Sequence, residues 1–196
     1  LETHQARIEV LINNAGSGLS DSFESHTGGE ISDLLDLNVV AATRLMRHVL
    51  PGMKARGSGG IINIASLGGL IPGPYQAAYY ASKAYLISLT RAVAWESRGQ
   101  GVRIIAVAPG PVETGFHAKM NAENALYRLL LPSLSAHRVA KSALFGYDMG
   151  RTLVVPGLMN KAAALCLHVL PASLIIPLIA ILLKPRGEER HVRGED

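Results

Sequence analysis

The chain has a single cysteine, Cys166, which excludes an intrachain disulfide and any metal site built from several thiolates. Its seven histidines never fall at H-x-x-x-H spacing, so metal catalysis finds no support in the pattern. Charge is sparse: 17% of residues are charged, and 19 basic against 15 acidic side chains leave a formal +4. So small an excess, with no basic stripe interleaved with aromatics, points away from a nucleic-acid partner. Repeats and low-complexity stretches are absent. A glycine-rich phosphate loop is missing too. "GSGLSD" (16–21) follows an apolar run and begins G-x-G-x-x, but Asp21 stands where the third glycine is needed and would repel phosphate. "GSGG" (57–60) precedes an apolar run, which is the wrong order. No charged-then-apolar leader follows Leu1, a start that says little because it is not a methionine.

What is present is apolar. Hydrophobic residues make up 48% of 196, enough for the core of one domain of ordinary size. "IEVLINNAG" (8–16) reads as a buried strand entering a loop at Asn, Asn and Gly. Ile31, Leu34, Leu35, Leu37, Val39, Leu45, Met46 and Val49 recur at helical spacing, predicting one long helix over 29–56, bent or ended near Pro51-Gly52. "GGIINIAS" (59–66) and "GVRIIAVAPG" (101–110) repeat the strand-then-small-residue pattern, with a second long helix over 76–98 between them. A looser stretch, 111–134, precedes a helix from Ala136 to Met149, and "TLVVPG" (152–157) is a short fourth strand. This alternation predicts an α/β fold with a parallel sheet. Nearly all-apolar strands fit burial on both faces. Ligands on such sheets sit beyond the carboxyl ends of the strands. There the chain places Asn13-Asn14-Ala15-Gly16, then Ser66, then Pro109-Gly110.

One stretch carries chemistry. In "AYYASKAY" (78–85), Tyr79 and Lys83 are four apart and share a helix face. A free tyrosine titrates near pH 10, and a neighbouring ammonium pulls that value down, making the phenol a usable acid or base. Tyr80, three before Lys83, is not excluded by geometry; Tyr85 lies on another face. Taken alone, the motif equally describes three tyrosines padding a helix surface.

Its company is more specific. "NNAG" at a strand end, "LNV" in the next helix, "IINIAS" ending the next strand, Y-x-x-x-K thirteen residues after Ser66, and "PG" after the following strand resemble the short-chain dehydrogenases/reductases over residues 5–157. The resemblance implies a Rossmann-like doubly wound parallel sheet, of which this chain carries the carboxyl-terminal portion of about four strands. The glycine-rich loop and the first three strands are expected to be absent through truncation at the front. "VLI" is then left as an exposed edge, and the chain alone is expected to bind NADH and NADPH weakly or not at all. The implied domains are a partial catalytic domain over 1–157, an apolar helical extension over 158–184 and a charged tail over 185–196.

The resemblance also selects Tyr79 over Tyr80 as the residue exchanging a proton with the substrate oxygen. It implies that Lys83 depresses the Tyr79 pKa and binds the nicotinamide ribose. Ser66 would hydrogen-bond the substrate carbonyl or hydroxyl, or merely cap a turn. Asn38 would sit at an irregularity in its helix holding a water, or lie on an exposed face; its low helix propensity between Leu37 and Val39 favours the former. Asn14, Ala15 and Gly16 would floor the cofactor pocket. Pro109, Gly110, Val112 and Thr114 match the segment contacting the carboxamide. The cofactor would be NAD or NADP, with NADP ahead by family analogy.

The implied function is NAD(P)-dependent interconversion of a ketone and a secondary alcohol. The alternative is a catalytically inactive remnant serving as a binding or membrane-associated interaction protein. Phe116, Met120, Leu126, Tyr127 and Leu129–Leu131 in "GFHAKMNAENALYRLLLPSL" (115–134) match the family's variable substrate lid and suggest an apolar carbonyl or alcohol substrate, though core packing explains them equally. Residues 162–183 hold no Asp, Glu, Lys or Arg. Pro171, Pro177 and His168 interrupt them, favouring two short helices over one span. Burial against a partner subunit or over the substrate cleft ranks ahead of membrane contact. A homo-oligomer through the two long helices is implied by analogy, and the location by the same reading is cytoplasmic or membrane-associated.

Overall fold

A computed structural model describes residues 7–114 and 132–185. The lid residues Phe116, Met120, Leu126, Tyr127 and Leu129–Leu131 therefore lie outside the described residues, as does the tail from 186. Four strands, β1 (Val10–Asn13), β2 (Gly59–Ile64), β3 (Val102–Val107) and β4 (Leu153–Val154), pair in that order, all in parallel. The helices are α1 (Gly28–Leu35), α2 (Ala42–Ala55), α3 (Ala77–Glu96), α4 (Ala136–Asp148), α5 (Leu158–Val169) and α6 (Ala172–Leu183). The expected α/β parallel sheet and two short apolar helices after it are present.

Register puts like with like. Ile12 pairs with Ile62, which pairs with Ile105, while Leu11 pairs with Ile61, which pairs with Ile104. Partners across a parallel sheet share a face, so each row meets its own helices. Ile61 and Ile104 pack on Met46, Val49 and Met53 of α2. Ile62, Ile105 and Val107 pack on Val139 and Ala143 of α4. Fully burying one such isoleucine is worth about 1.5–3 kcal/mol. At the other end of its face, β1 is left half covered: Val10 is 42% and Ile12 56% exposed. It is an apolar edge, the kind that invites further strand pairing.

The helix over 28–55 is corrected in one respect. It does not end at Pro51-Gly52 but runs on to Ala55, with Pro51 inside it at an exposed position. Its departure from α geometry comes earlier, where Asp36–Ala41 winds as π-helix. The start is fixed by a capping box: the Glu30 amide donates to the Thr27 hydroxyl at 3.2 Å, and the Thr27 amide to the Glu30 carboxylate at 2.9 Å.

Entry to β3 depends on one glycine. Gly101 has φ +70°, and a Cβ there would overlap the carbonyl of Gly57. A Gly101→Ala variant meets both backbone strain and overlap, and is expected to lose about 2 kcal/mol or more of stability. Urea denaturation checks this; an unchanged midpoint would remove the steric argument.

Candidate active site

Parallel strands end together, and so do the loops that follow them. After β1 come Asn14, Ala15 and Gly16; after β2, Ser66; after β3, Pro109 and Gly110. Helix α3 then brings Tyr79 and Lys83 to the same end, both buried. The Lys83 ammonium lies 5.8 Å from the centroid of the Tyr79 ring and donates to the Ile64 carbonyl at 3.1 Å. Four-residue spacing on a helix has done what the sequence expected of it: cation and phenol meet.

Asn38 sits in the π-helical segment and is 1% exposed, so the exposed-face alternative fails. A single π turn inside an α-helix is frequent at functional sites, because the extra residue turns a side chain out of the regular ladder. Here the amide turned inward clamps the loop after β1. Asn38 Nδ2 donates to the Ser17 carbonyl at 2.8 Å and to the Ser82 hydroxyl at 3.0 Å, while Oδ1 accepts from the Ser17 amide at 2.9 Å. Ser82 in turn donates to the Tyr79 carbonyl at 2.6 Å. Loop, π segment and helix α3 are thus tied through one amide and one hydroxyl. Gly16 closes the group: a Cβ there would stand 3.2 Å from both Asn38 Oδ1 and Lys83 Nζ. That bare backbone beside an ammonium is a cradle suited to a hydroxyl-bearing cofactor, and a side chain would fill it.

Ser66 caps the turn that follows it and also reaches the Tyr79 phenol. Its Oγ accepts from the Gly68 amide at 3.1 Å, capping the turn Leu67–Leu70, and it hydrogen-bonds the Tyr79 phenol. Tyr80 is packing: its ring stands where any Cβ on Gly68 or Gly73 would go and meets Tyr79 edge-on at 6.0 Å. Tyr85 is exposed and shares a 3.2 Å hydrogen bond with Thr43.

The expected electrostatics need correcting. Burial pushes the Tyr79 phenol up to about 12, and the Ser66 hydrogen bond opposes this. Burial likewise brings Lys83 down to about 8. Both charged forms lose water in the same place, and that loss outweighs their mutual attraction. The lysine was expected to depress the tyrosine; in this structure desolvation sets both values.

The structure also shows residues the motif did not flag. Asn13 and Asn63 face each other across β1 and β2, Asn13 Nδ2 donating to Asn63 Oδ1 at 2.7 Å, and Asn63 Nδ2 donates to the Thr90 hydroxyl at 2.8 Å. An asparagine inside the apolar run "IINI" was the available signal. Gln76, three before Tyr79, is buried with its amide nitrogen unpartnered. Asn160 of α5 is buried against Gly110, where a Cβ would come within 2.5 Å of its Oδ1. Of the outer cofactor set, Asn14 and Ala15 are exposed, Val112 bridges to Leu134, and Thr114 is exposed with its amide bonded to the Val112 carbonyl at 2.8 Å.

A parallel α/β sheet here gathers tyrosine, lysine, serine and asparagine near the carboxyl ends of its strands. Residues 1–125 match the family model for short chain dehydrogenases. The chain belongs to that family. It is 46% identical over 109 residues to the ketoacyl reductase HetN of Nostoc sp., covering 55% of this chain and 38% of that protein. It is 37% identical over 119 residues to 3-ketodihydrosphingosine reductase of Bacteroides thetaiotaomicron, covering 61% of this chain and 44% of that protein. The solved short-chain dehydrogenase from Sphingobium yanoikuyae in complex with NADPH superposes with a TM-score of 0.73 at 28% identity, over 96% of this chain and 71% of that one. The chain spans about two fifths of the length of these two curated relatives.

Proposed function

We propose that this chain carries the proton-transfer half of an NAD(P)-dependent oxidoreductase that interconverts a ketone and a secondary alcohol on an apolar substrate. The observation that supports it most is the cluster of buried Tyr79, Lys83 and Asn38 with half-buried Ser66 against the bare backbone of Gly16. A nicotinamide dinucleotide, when bound, supplies or accepts the hydride. The chain's own residues do the rest. Tyr79, protonated at neutral pH, gives its hydroxyl proton to the substrate oxygen on reduction and takes one back on oxidation. Ser66 orients that oxygen. Lys83 has one donor on the Ile64 carbonyl and others to offer ribose hydroxyls. Asn38 and Ser82 hold the geometry. Asn14, Ala15, Gly16, Pro109, Gly110, Val112 and Thr114 would line the cofactor.

Two relatives are named for reducing ketoacyl and ketosphingoid groups, which favours a lipid-like ketone; a homo-oligomer through α2 and α3 fits the exposed Leu45 and Tyr85 on them. NADPH in the solved relative makes NADP the first cofactor to test, with NAD beside it. With its native flanking sequence included, a Ser66→Ala variant is expected to lose about 10²-fold in kcat/KM on a long-chain ketone. Unchanged turnover would take Ser66 out of the site.

A further inference from the structure

We propose that α5 and α6 dock the chain sideways on an anionic lipid surface. Each helix turns an apolar stripe outward. On α5 it is Leu158, Leu165 and Val169, exposed to 83, 66 and 71%; on α6 it is Leu174, Leu178 and Ile181, exposed to 63, 54 and 62%. Leu170 at the junction is 47% exposed. The spacings of four, seven and eleven keep each set on one helix face. Meanwhile Asn160 on α5, and Ile175 and Leu183 on α6, are buried, so the helices already use their other sides in the fold. Among the described residues the outward leucines stay exposed.

Two features favour lipid over a protein partner. First, among the described side chains the outward stripes offer hydrogen bonds only through Lys161, between Leu158 and Leu165, and the Ser173 hydroxyl, whereas protein interfaces carry about one hydrogen bond per 100–200 Å². Lipid tails require none. Second, the charges within the stretch have one sign. Exposed Lys161 stands in the first turn of α5 and Lys184 directly after α6, and no acidic residue occurs from 149 to 185. Lysines at the ends of an apolar segment reach headgroups while their stems stay in the apolar layer. No helix of the described residues is long and apolar enough to cross a membrane. Twelve residues reach about 18 Å against a hydrocarbon core of about 30 Å, so the helices would lie in the interface.

This placement would bear on the site. Helix α5 packs on the turn Leu67–Leu70 that follows Ser66, and its Asn160 backs Gly110. A docked α5 would bring the active-site loops close to the bilayer, the natural source of an apolar ketone. Docking is read without turnover, so its failure and that of the catalytic reading are told apart.

The test is flotation of the chain with vesicles of phosphatidylcholine alone and of phosphatidylcholine containing phosphatidylglycerol. The chain is expected to float with the anionic vesicles and less with the neutral ones. A combined Leu165→Glu, Val169→Glu, Leu178→Glu variant, changed only at exposed positions, should lose roughly 100-fold or more in partitioning at unchanged circular dichroism. Lys161→Gln with Lys184→Gln should weaken anionic binding by roughly 25-fold and leave neutral binding alone. A wild-type chain that stays unbound overturns the proposal. So does a dimer, seen by sedimentation, that the glutamates dissociate while no vesicle binds. Equal binding to both vesicles, unmoved by the lysine changes, overturns the anionic assignment.

Discussion

Tyr79→Phe is expected to lower kcat by about 10³-fold or more, while dinucleotide affinity stays within about twofold. The substitution removes one hydroxyl from a ring that is 8% exposed and leaves the edge contact with Tyr80 in place. Folding should therefore survive, and loss of turnover reports the proton. Direction matters as well. With the phenol held at about 12, the wild-type site is protonated at neutral pH and ready to serve as acid, so ketone reduction needs no prior ionisation. Alcohol oxidation needs the phenolate, and its rate should climb as pH rises toward that value. Pre-steady-state kinetics in both directions, with native flanking sequence present, check the pair. Tyr80→Phe is the control, because the hydroxyl of a packing residue is dispensable; if it alone abolished turnover, the assignment to Tyr79 would be wrong.

The second large effect concerns stability, and it has the opposite sign from the usual loss. Lys83→Met is expected to stabilise the fold by about 2 kcal/mol at pH 7 while abolishing activity. Burial that lowers Lys83 from 10.5 to about 8 makes the charged form costly by about 3 kcal/mol. Giving up the bond to the Ile64 carbonyl returns about 1. Between pH 8 and 10.5 the unfolded chain binds the lysine proton and the folded chain does not, so wild-type stability rises with pH across that window. The advantage of methionine should shrink across the same range and vanish near its top. Tyr79 acts the other way: its folded value lies above 10, so stability falls between pH 10 and about 12. Urea unfolding of both proteins from pH 7 to 10 measures this. A methionine variant less stable at pH 7 would show that the lysine is held there by attraction that burial does not outweigh. Sites that keep a buried charge at the expense of stability are generally kept so for chemistry.

Much of this was readable in advance, for reasons particular to each part. Apolar runs ended by small, polar or turn-forming residues marked all four strands, since strands covered on both faces, as β2 and β3 are, leave no other pattern. Four-residue spacing brought Lys83 to Tyr79 because helical geometry is local. The π turn at Asp36–Ala41 was foreshadowed by Asn38 between two apolar neighbours, although only the fold shows its amide gripping Ser17. Pro51 does not stop its helix: a proline inside a pattern often ends one, but α2 carries it on an exposed turn, with Met46, Val49 and Met53 packed on the other side. The electrostatics were not legible at all. Which of attraction and desolvation wins depends on how deeply both groups lie, and burial belongs to the tertiary structure.

The Asn13–Asn63 pair reaches beyond the two strands it joins. Because Asn13 is the last residue of β1, the cofactor loop departs from this point, and Ser66 follows Asn63 by three residues. A slip of β1 by one position would carry that loop about 3.3 Å along the sheet and set an amide against an isoleucine. Two side chains that no substrate touches therefore act as a detent, fixing where the reacting groups stop relative to each other.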